Sequence, residues 1–380
     1  MKEFRYSVPT TMYYGGDCIK QNAPLFKSYG SKACIFTRQF VGGARNYALE
    51  DVEEVFNNQG IEYKIITDVQ ENPPVLSIVA ITEKVGEFNP DFLIAVGGGS
   101  SIDTAKAVGV LLKYPGEDAY DVLYGSGYPT NNTKSEGTLP IFAVPTTAGT
   151  GAEVTGYAVL TREDTHTKLA MSQNVFCEAA FLNPKYIKYS PAFLIHNGAI
   201  DALAHGVETY VNVKSNFMNR SIAEIGFKLF SEFKDAMLAD KLTDADFEKM
   251  ILASCIAGMA FMQAGTCLPH GMGYPLSHFK NVPHGHACGI FLGEYLKAFK
   301  NQSTVMPVVQ MCGFNTVEEF ADYIKQICER DVHIEVTEKD IEEWAEDFCK
   351  LEVRLVKHPE PIGIKEITQI FKNSLASYIK

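Results

Sequence analysis

Basic runs are missing from this sequence, and its Lys and Arg residues, 34 in all, are outnumbered by 46 Asp and Glu for a net charge of -12. Phosphate backbones and anionic membranes need a positive field, so neither nucleic acid nor a membrane surface is an expected partner. No stretch approaches the roughly eighteen uninterrupted apolar residues of a membrane span. The N-terminus, Met1-Lys2-Glu3-Phe4-Arg5-Tyr6-Ser7-Val8-Pro9, lacks the apolar centre of a signal peptide, and the expected location is the cytoplasm. The nine cysteines contain no Cys-x-x-Cys pair, and an odd, scattered set argues against a disulfide framework or a structural zinc knuckle. Reduced thiols are expected, with Cys267 set apart by lying three residues before His270. Neither Gly-x-Gly-x-x-Gly nor a Walker pattern occurs, and no internal repeat or low-complexity tract is visible.

What is present suits a globular chain: 380 residues, 46% apolar and 21% charged, enough for two domains with separate cores. From residue 11 to about 184, short β-rich runs alternate with helical ones. Strands are expected at Lys32–Thr37, Glu62–Ile66, Asp91–Val96 and Ile141–Val144, and helices at Tyr47–Asn58 and Val75–Glu87. Such alternation means a parallel sheet covered by helices, with ligands at the carboxyl ends of its strands. The Asp91 strand runs into Gly97-Gly98-Gly99-Ser100-Ser101-Ile102-Asp103-Thr104-Ala105-Lys106, where glycines between strand and helix let backbone amides approach a pyrophosphate. The Ile141 strand is followed by Pro145-Thr146-Thr147-Ala148-Gly149-Thr150-Gly151, whose hydroxyls suit ribose and phosphate.

After Asn183-Pro184 the strand signals stop. Thr243-x-x-Asp246 and Thr316-x-x-Glu319 have the form of capping boxes, Thr337 is a third N-cap, and Ile251–Gln263 is apolar enough for a central buried helix. The boundary is expected near residues 184 to 190, between an α/β dinucleotide-binding domain (1–184) and an all-helical domain (185–380), with cofactor and substrate meeting in a cleft. In the helical part Asp201 and His205 stand four apart, one helical turn, among small apolar residues. Four of the nine histidines fall between His270 and His286. A single buried Asp or His is usually a hydrogen-bonded core residue. Together, Asp201, His205, His270 and His284 form a donor set for one divalent iron or zinc, which would compensate the buried carboxylate.

These motifs, with Asn72-Pro73 and Gly151-x-Glu153-Val154-Thr155, resemble those of the iron-containing, group III alcohol dehydrogenases along nearly the whole chain. The resemblance implies the fold shared with dehydroquinate synthase, and one iron(II), sometimes zinc, on Asp201, His205, His270 and His284. It implies hydride transfer between a primary alcohol or diol and NAD(P), with the metal as Lewis acid. The expected cofactor contacts are Arg38, Asn72, Gly97, Gly98, Gly99, Ser100, Asp103, Thr146, Thr147, Thr150 and Lys168, and a homodimer is expected. Many members carry a second histidine four residues after the ligand matching His270. Here Tyr274 stands there, as in the propanediol dehydrogenase-like branch, so Tyr274 or His278 is the expected proton relay. Asn183-Pro184 and Gly198-Ala199 also depart from the family pattern. Where members often carry an Asp that repels a 2′-phosphate, this chain has Arg38, which pairs with one, so NADP(H) is expected over NAD(H), with Arg45 and Gly42-Gly43 nearby to widen the pocket. A rival within the fold is a zinc-dependent glycerol dehydrogenase or a dehydroquinate synthase-like lyase. The lyase calls for a basic cluster near the metal, and His270–His286 holds only Lys280. A metal- and nucleotide-binding protein without turnover is separated from an enzyme by an absorbance assay at the nicotinamide band.

Overall fold

The computed structural model describes residues 3–38, 45–129, 138–165 and 167–380; Gly42 and Gly43 lie outside the described residues. Among the described residues eight strands form: β1 Thr11–Tyr14, β2 Lys32–Phe36, β3 Glu62–Ile66, β4 Phe92–Gly97, β5 Ile141–Pro145, β6 Val159–Arg162, β7 Thr167–Ala170 and β8 Ala179–Leu182. Six of them make one sheet in the order β1-β8-β5-β4-β2-β3, parallel at every pairing, while β6 and β7 form a separate antiparallel pair. Parallel strands buried on both faces read as unbroken apolar runs, and β4 is such a strand. Its Phe92, Ile94 and Val96 pack with Phe26, Val52 and Phe56 on one face. Leu93 and Ala95 pack with Ile78, Ile81 and Val108 on the other. The covering helices Tyr47–Gln59 and Val75–Phe88 both end in a left-handed cap, Gly60 and Asn89.

The described chain divides into two compact units. One comprises Ser7–Thr147 and Gly151–Tyr189, and the other gathers Ser190–Lys380 with residues 3–6 and Ala148–Thr150. The main division falls between Tyr189 and Ser190, because the short helix Lys185–Lys188 stays with the sheet through Tyr186, whose hydroxyl donates to Asp51 at 2.8 Å. Two earlier segments join the helices through contacts of their own, each with a partner far along the chain. Tyr6 donates to the Met259 carbonyl at 3.0 Å, and a Cβ on Gly198 would stand 2.5 Å from the Ala148 carbonyl oxygen.

In the helical unit the helix Asp244–Ala264 starts in a reciprocal capping box between Thr243 and Asp246. Thr337 makes another with Asp340. At Thr316 only half the box forms, because the Glu319 carboxylate accepts instead from the Asn315 amide at 2.8 Å. Gly265, at φ +74°, then redirects the chain, and the following helical segment Leu268–Phe279 runs at 94° to the preceding helix. That turn delivers His270 to the helix Ala192–Val211, against which Asp244–Ala264 also packs. Among the described residues no single helix is long and apolar enough to cross a membrane.

Candidate functional site

The helical unit gathers three of the four expected metal ligands, Asp201, His270 and His284, within 4.8 Å of one another, and places the fourth, His205, beside Asp201 but outside that group. Asp201 and His205 lie one turn apart on Ala192–Val211, His270 on Leu268–Met272, and His284 opens His284–Lys297. Asp201 Oδ1 is the common neighbour, 3.9 Å from His205 Nδ1, 3.6 Å from His270 Nε2 and 3.8 Å from His284 Nε2. Donor atoms about 2.1 Å from one ion stand roughly 3.4 Å apart, so these separations suit a shared cation. A second observation carries the fit further. Asp201 Oδ1, His205 Nδ1 and His270 Nε2 are all buried without a hydrogen-bond partner. Orphaned buried polar atoms are rare and costly, and a single cation would satisfy all three.

Close approach of two helices makes this geometry. A Cβ on Gly285 would stand 1.9 Å from the Asn197 carbonyl oxygen and 2.9 Å from Asp201 Cβ, so only glycine lets His284 reach Asp201. Phe261 stacks on the His205 ring at 4.3 Å and fixes its plane. Two residues not expected as site residues also belong here. Glu208, wholly buried, accepts from His270 Nδ1 through one oxygen and from the Cys267 and His270 amides, at 2.7 and 3.4 Å, through the other. It orients the ring of a candidate ligand as carboxylates commonly do behind metal-bound histidines. The i, i+4, i+7 spacing of Asp201, His205 and Glu208 was the available signal. Cys288 is the other: Asp201, His270, His284 and Cys288 each offer a donor atom within 4.8 Å of the rest. Cys267, set apart by its sequence position, instead accepts from the Tyr295 hydroxyl at 3.3 Å.

The electrostatics are those of a cation site. Burial would raise the Asp201 pKa, yet the imidazoles of His205, His270 and His284 hold it well below the usual carboxylate range. Burial pushes His205 down to about 4, which keeps a ring nitrogen free to donate to a metal. Burial also opposes charge on His270, but Cys288 and Glu208 outweigh it and raise that pKa. His284 is raised in the same way, by Cys288 and Asp201 against burial.

In the α/β unit, the two polar loops leave neighbouring strands. Gly97 pairs with Pro145 at the carboxyl ends of β4 and β5, and the Thr146 amide donates to the Gly97 carbonyl at 3.0 Å. Gly99 opens the helix Gly99–Leu111, and a Cβ on Gly98 would stand 3.0 Å from Thr147 Oγ1. Asn72, at φ +50°, donates its amide to the Ser100 hydroxyl at 3.3 Å and accepts from Thr161 at 2.7 Å. Lys168 sits opposite Thr161 on the β6–β7 pair, which Asp103 holds by accepting from the Val159 amide at 3.1 Å. Burial lifts the Asp103 carboxyl to about 6. Lys106, fully buried, donates to the carbonyls of Ala152, Thr155 and Tyr157 at 2.7 to 2.8 Å. Arg38 lies just past β2, bridged to Asp68, with its exposed guanidinium 3.5 Å from the exposed Glu71 carboxylate. Thr150 falls in the helical unit.

The two expected relay residues share a short helix, Tyr274–Phe279. Tyr274 is half-buried beneath Arg354, whose guanidinium stands 5.5 Å from the ring centre. His278 is exposed and meets Phe279 edge-on at 4.6 Å, so the structure does not gather it with the Asp201 cluster.

Residues 9–184 match the family model described as iron-containing alcohol dehydrogenase, and residues 195–375 match the Fe-containing alcohol dehydrogenase family, C-terminal. An NADPH-dependent butanol dehydrogenase of Clostridium saccharobutylicum is 29% identical over 84% of this chain and 81% of its own. An NADH-dependent butanol dehydrogenase B of Clostridium acetobutylicum is 27% identical over 99% and 100%. A crystal structure of a 1,3-propanediol oxidoreductase is similar at a TM-score of 0.84 and 26% identity, covering 98% of this chain and 100% of that one.

Proposed function

The chain belongs to the iron-containing alcohol dehydrogenase family, oxidoreductases of alcohols, aldehydes and diols that work with NAD(P), and we propose that Asp201, His205, His270 and His284 are this member's metal ligands. The observation that carries the reading is that Asp201 Oδ1, His205 Nδ1 and His270 Nε2 are buried without partners, with both ring nitrogens within 4 Å of the carboxylate oxygen. A divalent ion there, iron(II) or the zinc that the same donors accept, supplies Lewis acidity toward the oxygen of a primary alcohol or diol. Asp201 provides the compensating charge, and Glu208 fixes the His270 ring. The Gly97-Gly98-Gly99 loop and the first amides of its helix hold the pyrophosphate, Asn72 and Ser100 flank it, and Tyr274 is assigned the proton relay. Nine free cysteines, eight of them buried, fit a cytoplasmic enzyme, and a homodimer is part of the same reading.

The test is metal analysis of anaerobically purified protein alongside nicotinamide absorbance with a panel of alcohols and aldehydes. His270→Ala should lose most of its metal and nearly all turnover while keeping nucleotide affinity. Full metal occupancy in that variant rejects the ligand set.

NADP(H) is the preferred cofactor in this reading because Arg38 holds the position at the end of β2. Its only ion pair among the described residues is the exposed one with Glu71, and such pairs are worth at most about 1 kcal/mol. A 2′-phosphate therefore outcompetes Glu71 for the guanidinium. The two butanol dehydrogenases use different cofactors, so kcat/KM for both cofactors decides the point in wild type and in Arg38→Asp. A wild-type preference for NADH overturns the assignment.

A further inference from the structure

Two pairs of side chains four residues apart face the metal pocket. Asp201 and His205 form one; His284 and Cys288 form the other, one turn apart on His284–Lys297. Cys288 is fully buried, with its sulfur 3.9 and 3.8 Å from the two ring nitrogens of His284. It also lies within the 4.8 Å group that includes Asp201 and His270. A buried thiol is ordinarily a small apolar filler, and Cys34, inside the apolar cluster of Ile78 and Leu93, is one. Cys288 differs in its surroundings: it faces imidazoles and a carboxylate rather than hydrocarbon. The independent sign that a ligand belongs there is that Asp201 Oδ1 and His270 Nε2, both buried, have no partner.

We propose that the Cys288 thiolate is a fifth ligand of the metal, and that its sulfur biases the site toward zinc over iron(II). The proposal rests on the metal reading above and goes beyond it by adding a soft donor to a nitrogen and oxygen set. Ligation is an exchange: the S–H bond breaks, the metal–sulfur bond forms, and one proton passes to the buffer with no change of oxidation state. Thiolate favours zinc among the ions available to such a site, and zinc already exceeds iron(II) in intrinsic affinity for mixed donors. Cys288 thus reaches a question that the four-residue set leaves open, since that set accepts both ions.

Cobalt(II) reads the sulfur directly, because thiolate ligation adds a sulfur-to-cobalt charge-transfer band in the near ultraviolet that nitrogen and oxygen donors lack. The full-length protein, stripped with a chelator and reloaded with cobalt(II) anaerobically, should show that band. In Cys288→Ser and Cys288→Ala the band should vanish while cobalt remains bound, and zinc should lose part of its advantage in competition with iron(II). Cobalt bound without the band in the wild type, or a band that persists in Cys288→Ala, overturns the proposal and leaves the four-ligand reading standing. A wild-type chain that binds no cobalt overturns both. The wild-type spectrum needs no variant to fold, and the serine variant keeps the size of the side chain should alanine leave a damaging cavity.

Discussion

Replacing Glu208 by Gln isolates the role of a buried carboxylate that touches no expected substrate. Its two oxygens do different work, one on His270 Nδ1 and the other on the Cys267 and His270 amides, and a glutamine has a single acceptor oxygen. Whichever way the amide turns, it presents N–H to N–H on one side. A buried donor left without its charged acceptor costs about 1.5–3 kcal/mol, which is about tenfold to a hundredfold in an equilibrium constant. Partners behind metal-bound histidines carry a similar weight, about 10–100-fold in metal affinity. We expect zinc affinity, measured by competition with a chromophoric chelator, to fall by about that factor in Glu208→Gln. The melting temperature of the metal-loaded protein should fall with it, and NAD(P) affinity should stay within about twofold. Metal affinity within about threefold of wild type would show that the His270 ring needs no orienting partner, and the reasoning would fail.

Three further perturbations follow from the same geometry. Tyr274→Phe keeps the ring under Arg354 and deletes the hydroxyl, so turnover should fall about a hundredfold with unchanged cofactor affinity; an unaltered rate and pH profile would assign Tyr274 to packing. Gly285→Ala places a methyl 1.9 Å from the Asn197 carbonyl oxygen, and the forced separation of the two helices should cost about 1–3 kcal/mol in a denaturant melt and most of the metal affinity; retention of both would contradict the close approach. Glu153, raised by burial from 4.5 to about 7, keeps its proton in the folded protein at pH values where the unfolded chain has lost it. That stability is fully present below pH 4.5 and drains away as pH rises through about 7, amounting to about 3 kcal/mol at most. Calorimetry should therefore find the melting temperature of Glu153→Gln gaining on wild type between pH 5 and 8, and parallel curves would refute the linkage.

Continuous apolar runs made β2, β4 and β5 legible, because a strand buried on both faces has no reason to alternate. The β6–β7 pair was not legible. Val159–Arg162 is short and half-exposed, and it is fixed by long-range bonds, Thr161 to Pro73 and Asn72, that no local pattern announces. The same holds where Tyr6 and Ala148–Thr150 join the helical unit, since each rests on a partner far along the chain. Within the candidate metal pocket, Asp201 and His205 stood out in the sequence as a polar pair set in small apolar residues. Cys288, between Ala287 and Gly289, reads in isolation as core; its sulfur faces His284 one turn earlier on the same helix, and the close approach at Gly285 brings Asp201 to that helix. Arg354 reaches the Tyr274 ring from 80 residues away, a contact that no local pattern around His270–His286 announces.

The buried ammonium of Lys106 has a consequence for how a nucleotide meets this protein. An ammonium has three donors, and here three main-chain carbonyls, those of Ala152, Thr155 and Tyr157, take all of them. Lys106 accordingly has no N–H left for a phosphate oxygen, although it lies on the helix Gly99–Leu111 that begins at the glycine loop. Its charge acts as an internal rivet that sets residues 152–157 in their final course before any ligand arrives. Entropy that a slack loop would surrender on binding is thus surrendered at folding, and the amides of that segment should resist deuterium exchange as strongly in the free protein as in the nucleotide complex.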